Sequence, residues 1–285
     1  MSAGVTRPGR SAAICAGGAA VGAAMLAWGV ATMAAVEGET PRTALAVGLG
    51  LFLVLTCPLL LLNFLWAARI VARLRRGDGV IARWTVGAEV LDQFRDDERR
   101  RVAAGDDNDW RTPRTSPAAG VEVIFAEDAV LVGDTLFGLA STGIAHVRAV
   151  ETLADSPLTL RFETAMTAVE GAGRNGSIVT RFGSLRIPVA PGANEALQRV
   201  VGHYRLVLAG ERLVKPGFWK LRIRVGLGVA IASAFAAAAG FGMNALGIDG
   251  VVPLALAVVG VITGAGGLVL AAIAARFARR QRSGW

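Results

Sequence analysis

Hydrophobic residues are concentrated in four long runs that contain no Asp, Glu, Lys, Arg or His. A membrane-spanning helix needs about 20 mostly apolar residues, and every run is at least that long. The runs cover residues 12–36, 44–68, 225–246 and 251–275. Seven residues join the first two runs and four join the last two. The pattern therefore predicts two transmembrane helical hairpins.

Basic residues flank the outer ends of both predicted hairpins, while the two short loops hold three acids and one arginine. The basic flanks are Arg7, Arg10, Arg69, Arg73, Arg75, Arg76, Lys215, Lys220, Arg222, Arg224, Arg276, Arg279, Arg280 and Arg282. The positive-inside rule then predicts that both termini and the central segment are cytoplasmic. The first run is longer than the core of a signal peptide, which favours an uncleaved anchor.

The segment between the hairpins, residues 77–214, has a different pattern. Short β-rich runs occur at residues 80–86, 121–125, 129–132, 135–139, 144–152, 158–163, 177–182 and 184–189. Val90, Leu91, Phe94 and Val102 follow a helical stripe, and residues 103–119 are typical of an exposed loop. A closing helix is predicted from the stripe Leu197, Val200, Val201, Tyr204 and Leu208.

These patterns predict an α+β membrane protein with three parts. The first part, residues 1–76, is a short tail with hairpin 1. The second, residues 77–214, is a small domain of about seven strands and a C-terminal helix. The third, residues 215–285, is hairpin 2 with a basic tail.

The inserted segment resembles a bacterial PH-like domain. The resemblance rests on the predicted hairpin at residues 121–133 and on Leu185-Arg186-Ile187-Pro188-Val189, which runs into the helix at 191–208. It implies a small bent sheet or partial barrel capped by the closing helix. The charged helix and loop at residues 90–119 depart from the family pattern. Such domains in membrane-anchored bacterial proteins are commonly binding or assembly modules.

Charge placement argues against nucleic acid as a partner, although the net charge is +8. Residues 77–214 hold 15 Arg and 19 acidic residues, a net of −4, and the excess positive charge flanks the apolar runs. A chain with 28 Arg, only 2 Lys and abundant Ala and Gly indicates a GC-rich bacterial source. The expected location is therefore the bacterial inner membrane.

The sequence predicts no catalytic residue, no cofactor site and no metal site. His146 and His203 belong to no metal-ligand sequence pattern, and Cys15 and Cys57 lie within apolar runs. The G-x-G-x-x-G match at residues 171–176 precedes a predicted strand, which favours a hairpin turn over a nucleotide site. The acidic residues Asp106, Asp107 and Asp109 lack an EF-hand pattern and are interpreted as a solvated loop.

Six residues are candidates for contacts. Trp110, in the polar loop, is proposed as a partner surface; the alternative is that it packs back on the domain. Gly18 with Gly22 and Gly260 with Gly264 form GxxxG spacings, and Asn63 is a polar residue in the second run. These five are expected to pack helices, either between the two hairpins or between subunits.

The function hypothesis is a non-catalytic scaffold, assembly or regulatory protein held in the inner membrane. Its domain would bind a protein partner, and membrane lipids or further copies of the chain are expected around the spans. Two alternatives stay open. One is an oligomeric channel or transporter component, and the other is a membrane enzyme that acts on lipid.

Overall fold

The computed structural model describes residues 4–35, 40–140, 145–170, 177–211, 217–247 and 251–282. Six helices and eight strands occur in this part of the chain. In order they are β1 (Val5–Thr6), α1 (Pro8–Ala35), α2 (Pro41–Arg75), β2 (Val80–Val86), α3 (Ala88–Ala103), β3 (Val121–Ala126), β4 (Ala129–Val132), β5 (Thr135–Gly138), β6 (Ala145–Leu153), β7 (Thr159–Glu170), β8 (Ser177–Pro188), α4 (Asn194–Leu208), α5 (Gly217–Ala245) and α6 (Val251–Arg282).

Four of these helices are long and apolar enough to cross a membrane, which confirms the prediction of a multi-pass membrane protein. The candidate spans are Pro8–Met33, Pro41–Arg75, Ile223–Ala245 and Leu256–Arg276. At most 28% of the residues in any one of these spans are buried within the molecule. Most of their apolar surface therefore faces outward, as expected of helices that are solvated by lipid.

The strands form two antiparallel sheets. Sheet A has the order β1-β5-β4-β3-β2, and sheet B has the order β6-β7-β8. The mixed α+β class is therefore confirmed. Two predicted runs, residues 177–182 and 184–189, are one continuous strand, because Gly183 stays in register opposite Thr164. Strand β7 is correspondingly longer than predicted and ends at Glu170.

A hydrophobic core lies between the two sheets and α4. Phe125 from sheet A, Phe162 from sheet B and Tyr204 from α4 are all fully buried. The rings of Phe125 and Phe162 are 6.2 Å apart, and those of Phe162 and Tyr204 meet edge to face at 5.0 Å. The closing helix that the sequence predicted therefore provides one wall of this core.

The other face of sheet A is buried as well. Ile124, Leu131 and Leu136 point away from the first core and pack against the end of α2, where Leu74 has no exposed surface. Val5 of β1 packs against the same cluster. A strand that is buried on both faces needs apolar residues at successive positions, which explains why β3 and β4 alternate imperfectly.

The N-terminal strand is attached to sheet A beside this cluster. Val5 pairs with Leu136 and Thr6 with Thr135 on β5. A side chain on Gly4 would overlap the ring of Phe137 at 2.5 Å, so only glycine fits there. The Asp134 carboxylate then holds two arginines, Arg7 at 3.2 Å and Arg75 at 2.8 Å.

Contacts divide the chain into two compact units. The unit that contains both sheets comprises Met1–Gly9 and Phe64–Val214, and the other comprises Arg10–Asn63 and Lys215–Trp285. We call the first unit the β domain. It ends at residue 214, as the predicted domain does, and it additionally includes β1 and the last three turns of α2.

Candidate functional site

The amphipathic helix α3 carries a carboxylate on its buried face. Leu91, Phe94 and Glu98 are the buried residues of this helix. They are spaced three and four residues apart, which places them on one side. Glu98 therefore points into the β domain with the apolar residues, although its neighbours Asp96, Asp97 and Arg99 are surface charges that pair with one another or with nearby arginines.

Arg186 of β8 is the partner of Glu98 and has no exposed surface. Its Nε and Nη2 donate to the two carboxylate oxygens of Glu98 at 2.7 and 3.0 Å, and its Nη1 lies 2.8 Å from Oδ2 of Asp106. Burial by itself lowers the pKa of Arg186. The hydrogen bonds to Glu98 and Asp106 outweigh that effect, so the pKa lies above its ordinary value. The guanidinium is thus charged, paired and fixed.

The loop after α3 covers the free edge of β8. The side chain of Asn108 accepts from the backbone N–H of Arg186 at 3.0 Å and donates to its carbonyl at 3.1 Å, as a neighbouring strand would. The backbone N–H of Asp109 donates to the carbonyl of Ser184 at 2.8 Å. An open strand edge can pair with other chains, and this loop covers the edge of β8 at residues 184–186.

The interpretation of the acidic loop as solvated is therefore wrong for Asp106, which pairs with Arg186. It is incomplete for Asp109, whose backbone N–H is bonded to β8. Arg101 reinforces the same region through Asp97 at 2.9 Å and Asp155 at 2.6 Å. Among the described residues, no group of three or more His, Cys, Asp or Glu side chains could hold a metal ion.

Trp110 is a core residue, and the proposal that it forms a partner surface is corrected. Only 4% of it is exposed, and its ring stacks on Phe94 at 5.8 Å. The polar sequence around it is misleading, because Asn108 and Asp109 bond to β8 and carry the tryptophan inward. The alternative in the sequence analysis, packing back on the domain, describes its position.

The predicted packing glycines lie at contacts inside each hairpin. A side chain on Gly22 would lie 2.6 Å from Cβ of Leu53 on α2, and one on Gly18 would lie 2.9 Å from Cys57. A side chain on Gly260 would lie 2.5 Å from the backbone of Ala237 on α5, whereas Gly264 is looser at 3.4 Å from Ser233. These contacts were predicted between the two hairpins or between subunits, whereas the glycines pack the two helices of the same hairpin. Asn63 of α2 is exposed.

His203 and Tyr204 attach α4 to the turn between β3 and β4. Nε2 of His203 lies 3.0 Å from the carbonyl of Glu127, and the Tyr204 hydroxyl donates to the carbonyl of Ala126 at 2.8 Å. Burial, together with the negative charge of Asp128, raises the pKa of Tyr204 well above its usual value. The Tyr204 hydroxyl is therefore neutral and serves as a structural donor.

Tyr204→Phe is expected to change the alkaline stability of the β domain. Because the folded-state pKa is raised, the stability from the neutral phenol is complete below about pH 10 and is lost as pH rises towards the folded-state pKa. The variant loses about 1 kcal/mol at neutral pH with the hydrogen bond, but its stability falls less steeply above about pH 10. Urea unfolding at several pH values measures both effects, and no other tyrosine contributes because the chain has one. Parallel pH curves for the two proteins would contradict the assignment.

Among the residues of the β domain that the structure describes, one aromatic side chain is exposed. Phe182 of β8 is 65% exposed. It lies three residues before the core residue Leu185, so it points to the opposite, outer face of sheet B. The guanidinium of Arg148 on β6 stacks over its ring, 4.9 Å from the centroid. Neither residue was predicted from the sequence, since a strand pattern does not indicate which outward positions stay uncovered.

The predicted turn at residues 171–176 lies outside the described residues. Comparison of the chain with protein-family models, with curated proteins and with solved structures gives no match in any of the three.

Proposed function

We propose that this protein is a non-catalytic scaffold, assembly or regulatory component of a bacterial inner membrane, and that its β domain binds a protein partner in the cytoplasm. The exposed pair of Phe182 and Arg148 on the outer face of sheet B is the observation that carries the proposal. The cytoplasmic orientation is supported by the arginines at the β-domain end of α2.

The strand order supports the resemblance to PH-like domains. Strands β2 to β5 each pair with the next in sequence, as do β6 to β8, and α4 contacts β2 and β6. The resemblance implies about seven strands followed by a closing helix, and this strand order is compatible with it. Helix α3 and its loop are additional to that arrangement and are held by Arg186.

Phe182 has the properties of a binding hot spot. Phenylalanine exposed on a regular strand presents a large apolar area at little cost in conformational entropy, and aromatic and arginine residues are enriched at interfaces. Ala165 of β7, the residue directly opposite Phe182 in the strand pairing, is buried. The Phe182 ring therefore lies on a well-packed part of the sheet. Strand β8 is itself fixed by Arg186 four residues later.

Arg148 indicates the chemistry of the partner. In the part of the chain that the structure describes, no carboxylate lies within 4 Å of its guanidinium, which stacks on Phe182 instead. A guanidinium on an aromatic ring keeps its N–H groups in its own plane, where they can still donate to a carboxylate. We infer that the partner inserts an apolar side chain beside Phe182 and offers Asp or Glu to Arg148.

Phe182→Ala is expected to weaken partner binding by about 30-fold or more, the usual effect of truncating a hot-spot aromatic. The tagged full-length protein is purified in mild detergent, co-purifying proteins are quantified by mass spectrometry, and the dissociation constant of the stoichiometric partner is then measured. Arg148→Glu is expected to weaken the same complex by placing like charges opposite each other.

Val102→Ala is the matched control, because Val102 is an apolar side chain that is 50% exposed on α3 rather than on sheet B. The proposal predicts unchanged binding for this variant. A stoichiometric partner that binds Phe182→Ala and wild type equally, with both proteins folded, would refute this surface as the binding site.

A further inference from the structure

The arginines at the end of α2 fall into two groups. Arg75 pairs with Asp134 at 2.8 Å, and Arg76 pairs with Asp78 at 3.5 Å. Arg69 and Arg73 are exposed, and neither has a carboxylate within 4 Å among the described residues. The protein thus neutralises the arginines that follow Leu74 and leaves the preceding pair available.

Arg69 and Arg73 lie on one side of the helix. Residues four apart in an α-helix are neighbours, with their Cβ atoms about 6 Å from each other. The opposite side of this stretch carries Ala67, Ile70 and Leu74, which are buried against sheet A. Because that packing fixes the rotation of the helix, both arginine side chains start from the surface of α2 that faces away from the sheet.

The pair also lies at a defined depth. Arg69 follows Ala68, the last residue of the apolar run, and Arg73 is one helical turn further on. A side chain at this point reaches the headgroup layer of the bilayer, where long basic residues meet lipid phosphates. Trp66, one turn earlier, is of the type that marks the membrane interface.

We propose that Arg69 and Arg73 form a binding site for the phosphate of an anionic phospholipid. Guanidinium groups bind phosphate through paired N–H donors, and two of them one turn apart can hold both phosphate oxygens of a phosphodiester. A membrane lipid is favoured over a soluble phosphate compound because the site adjoins the apolar run, so that acyl chains have α2 beside them. Residues 77–214 have a net charge of −4 and therefore give no general attraction for anionic lipid.

The test compares lipid binding by two double variants of the full-length protein. Arg69→Gln/Arg73→Gln removes the site, and Arg99→Gln/Arg100→Gln removes the same charge from the exposed face of α3. Each protein is titrated with phosphatidylglycerol or phosphatidylcholine in detergent and observed by native mass spectrometry. The first variant is expected to bind phosphatidylglycerol about 30-fold more weakly, which is the usual contribution of two juxtamembrane arginines to the affinity for anionic lipid. The second is expected to bind like wild type.

A charge-conserving variant separates binding from folding. Arg69→Lys/Arg73→Lys keeps both charges and is expected to retain most of the preference for phosphatidylglycerol over phosphatidylcholine. Equal affinities for wild type and Arg69→Gln/Arg73→Gln would overturn the proposal, as would an equal loss in the α3 control. Competition by millimolar inorganic phosphate, at an affinity equal to that of the lipid, would overturn the assignment to a phospholipid. The result does not depend on the partner surface at Phe182.

Discussion

Replacing Glu98 by Gln is expected to lower the unfolding free energy of the β domain by about 3 kcal/mol, because removing one partner of a buried ion pair leaves the other charge poorly compensated. Arg186 has no exposed surface and donates hydrogen bonds to both carboxylate oxygens of Glu98. Only Asp106, which is partly exposed, would remain as its anionic partner. Urea unfolding of the full-length protein in lipid nanodiscs, followed by tryptophan fluorescence, measures the change.

Asp96→Asn is the matched control for Glu98→Gln. Asp96 is on the same helix and pairs with Arg99, but about two thirds of each side chain is exposed. Surface pairs of this kind contribute little, so this variant is expected to change stability by less than about 0.5 kcal/mol. Equal effects of the two variants would mean that the Glu98–Arg186 pair does not hold α3 to sheet B.

Leu74→Ala is expected to destabilise the β domain by about 3 kcal/mol, although Leu74 belongs to the helix that contains the second membrane span. Leu74 is fully buried in the cluster that covers the second face of sheet A. Its truncation removes transfer free energy and leaves a cavity, which together cost about 2–5 kcal/mol for a buried leucine. The same urea experiment reports this loss.

The control for Leu74→Ala is Leu65→Ala in the same helix. Leu65 is 41% exposed and belongs to neither hydrophobic cluster. We expect its truncation to leave the urea midpoint of the β domain nearly unchanged, since exposed positions contribute little to unfolding free energy. If Leu74→Ala also left the midpoint unchanged, the end of α2 would not belong to the core of this domain.

The sequence predicted the elements that depend on local pattern. Runs of about 20 apolar residues without charge have few interpretations other than membrane spans, and the four spans follow from them. The stripe of Leu197, Val200, Val201 and Tyr204 predicted α4, and all four side chains are buried. Strand β2 has the bounds that its run of β-forming residues indicated.

The sequence did not predict which element covers the second face of sheet A. The run Val123-Ile124-Phe125 showed that β3 is apolar on both faces. The spacing of apolar residues alone does not identify the element that covers the second face. That element is the end of α2, whose Ile70, Val71 and Leu74 continue the apolar pattern of the span past Arg69. The basic residues there were assigned only to topology, and the packing of the apolar residues between them was missed.

The ion pair between residues that are distant along the chain was also not predicted from the sequence. Glu98 and Arg186 are 88 residues apart, and each stands in a segment where charged residues are common. One signal was available, since Glu98 lies four residues after Phe94 on the apolar stripe of α3. Trp110 was misplaced for a related reason, because its loop owes its order to hydrogen bonds with β8 and not to its own composition.

The most direct test of the shared core is hydrogen exchange of the full-length protein in nanodiscs at increasing sub-denaturing urea. The account predicts that amides of residues 67–74 of α2 and of β4 open in one cooperative unit, with the same dependence on urea, and that Leu74→Ala accelerates both. A core shared by sheet A and α2 would be contradicted by either of two results. One is that exchange in β4 depends on urea while exchange of residues 67–74 does not, and the other is that Leu74→Ala leaves exchange in β4 unchanged.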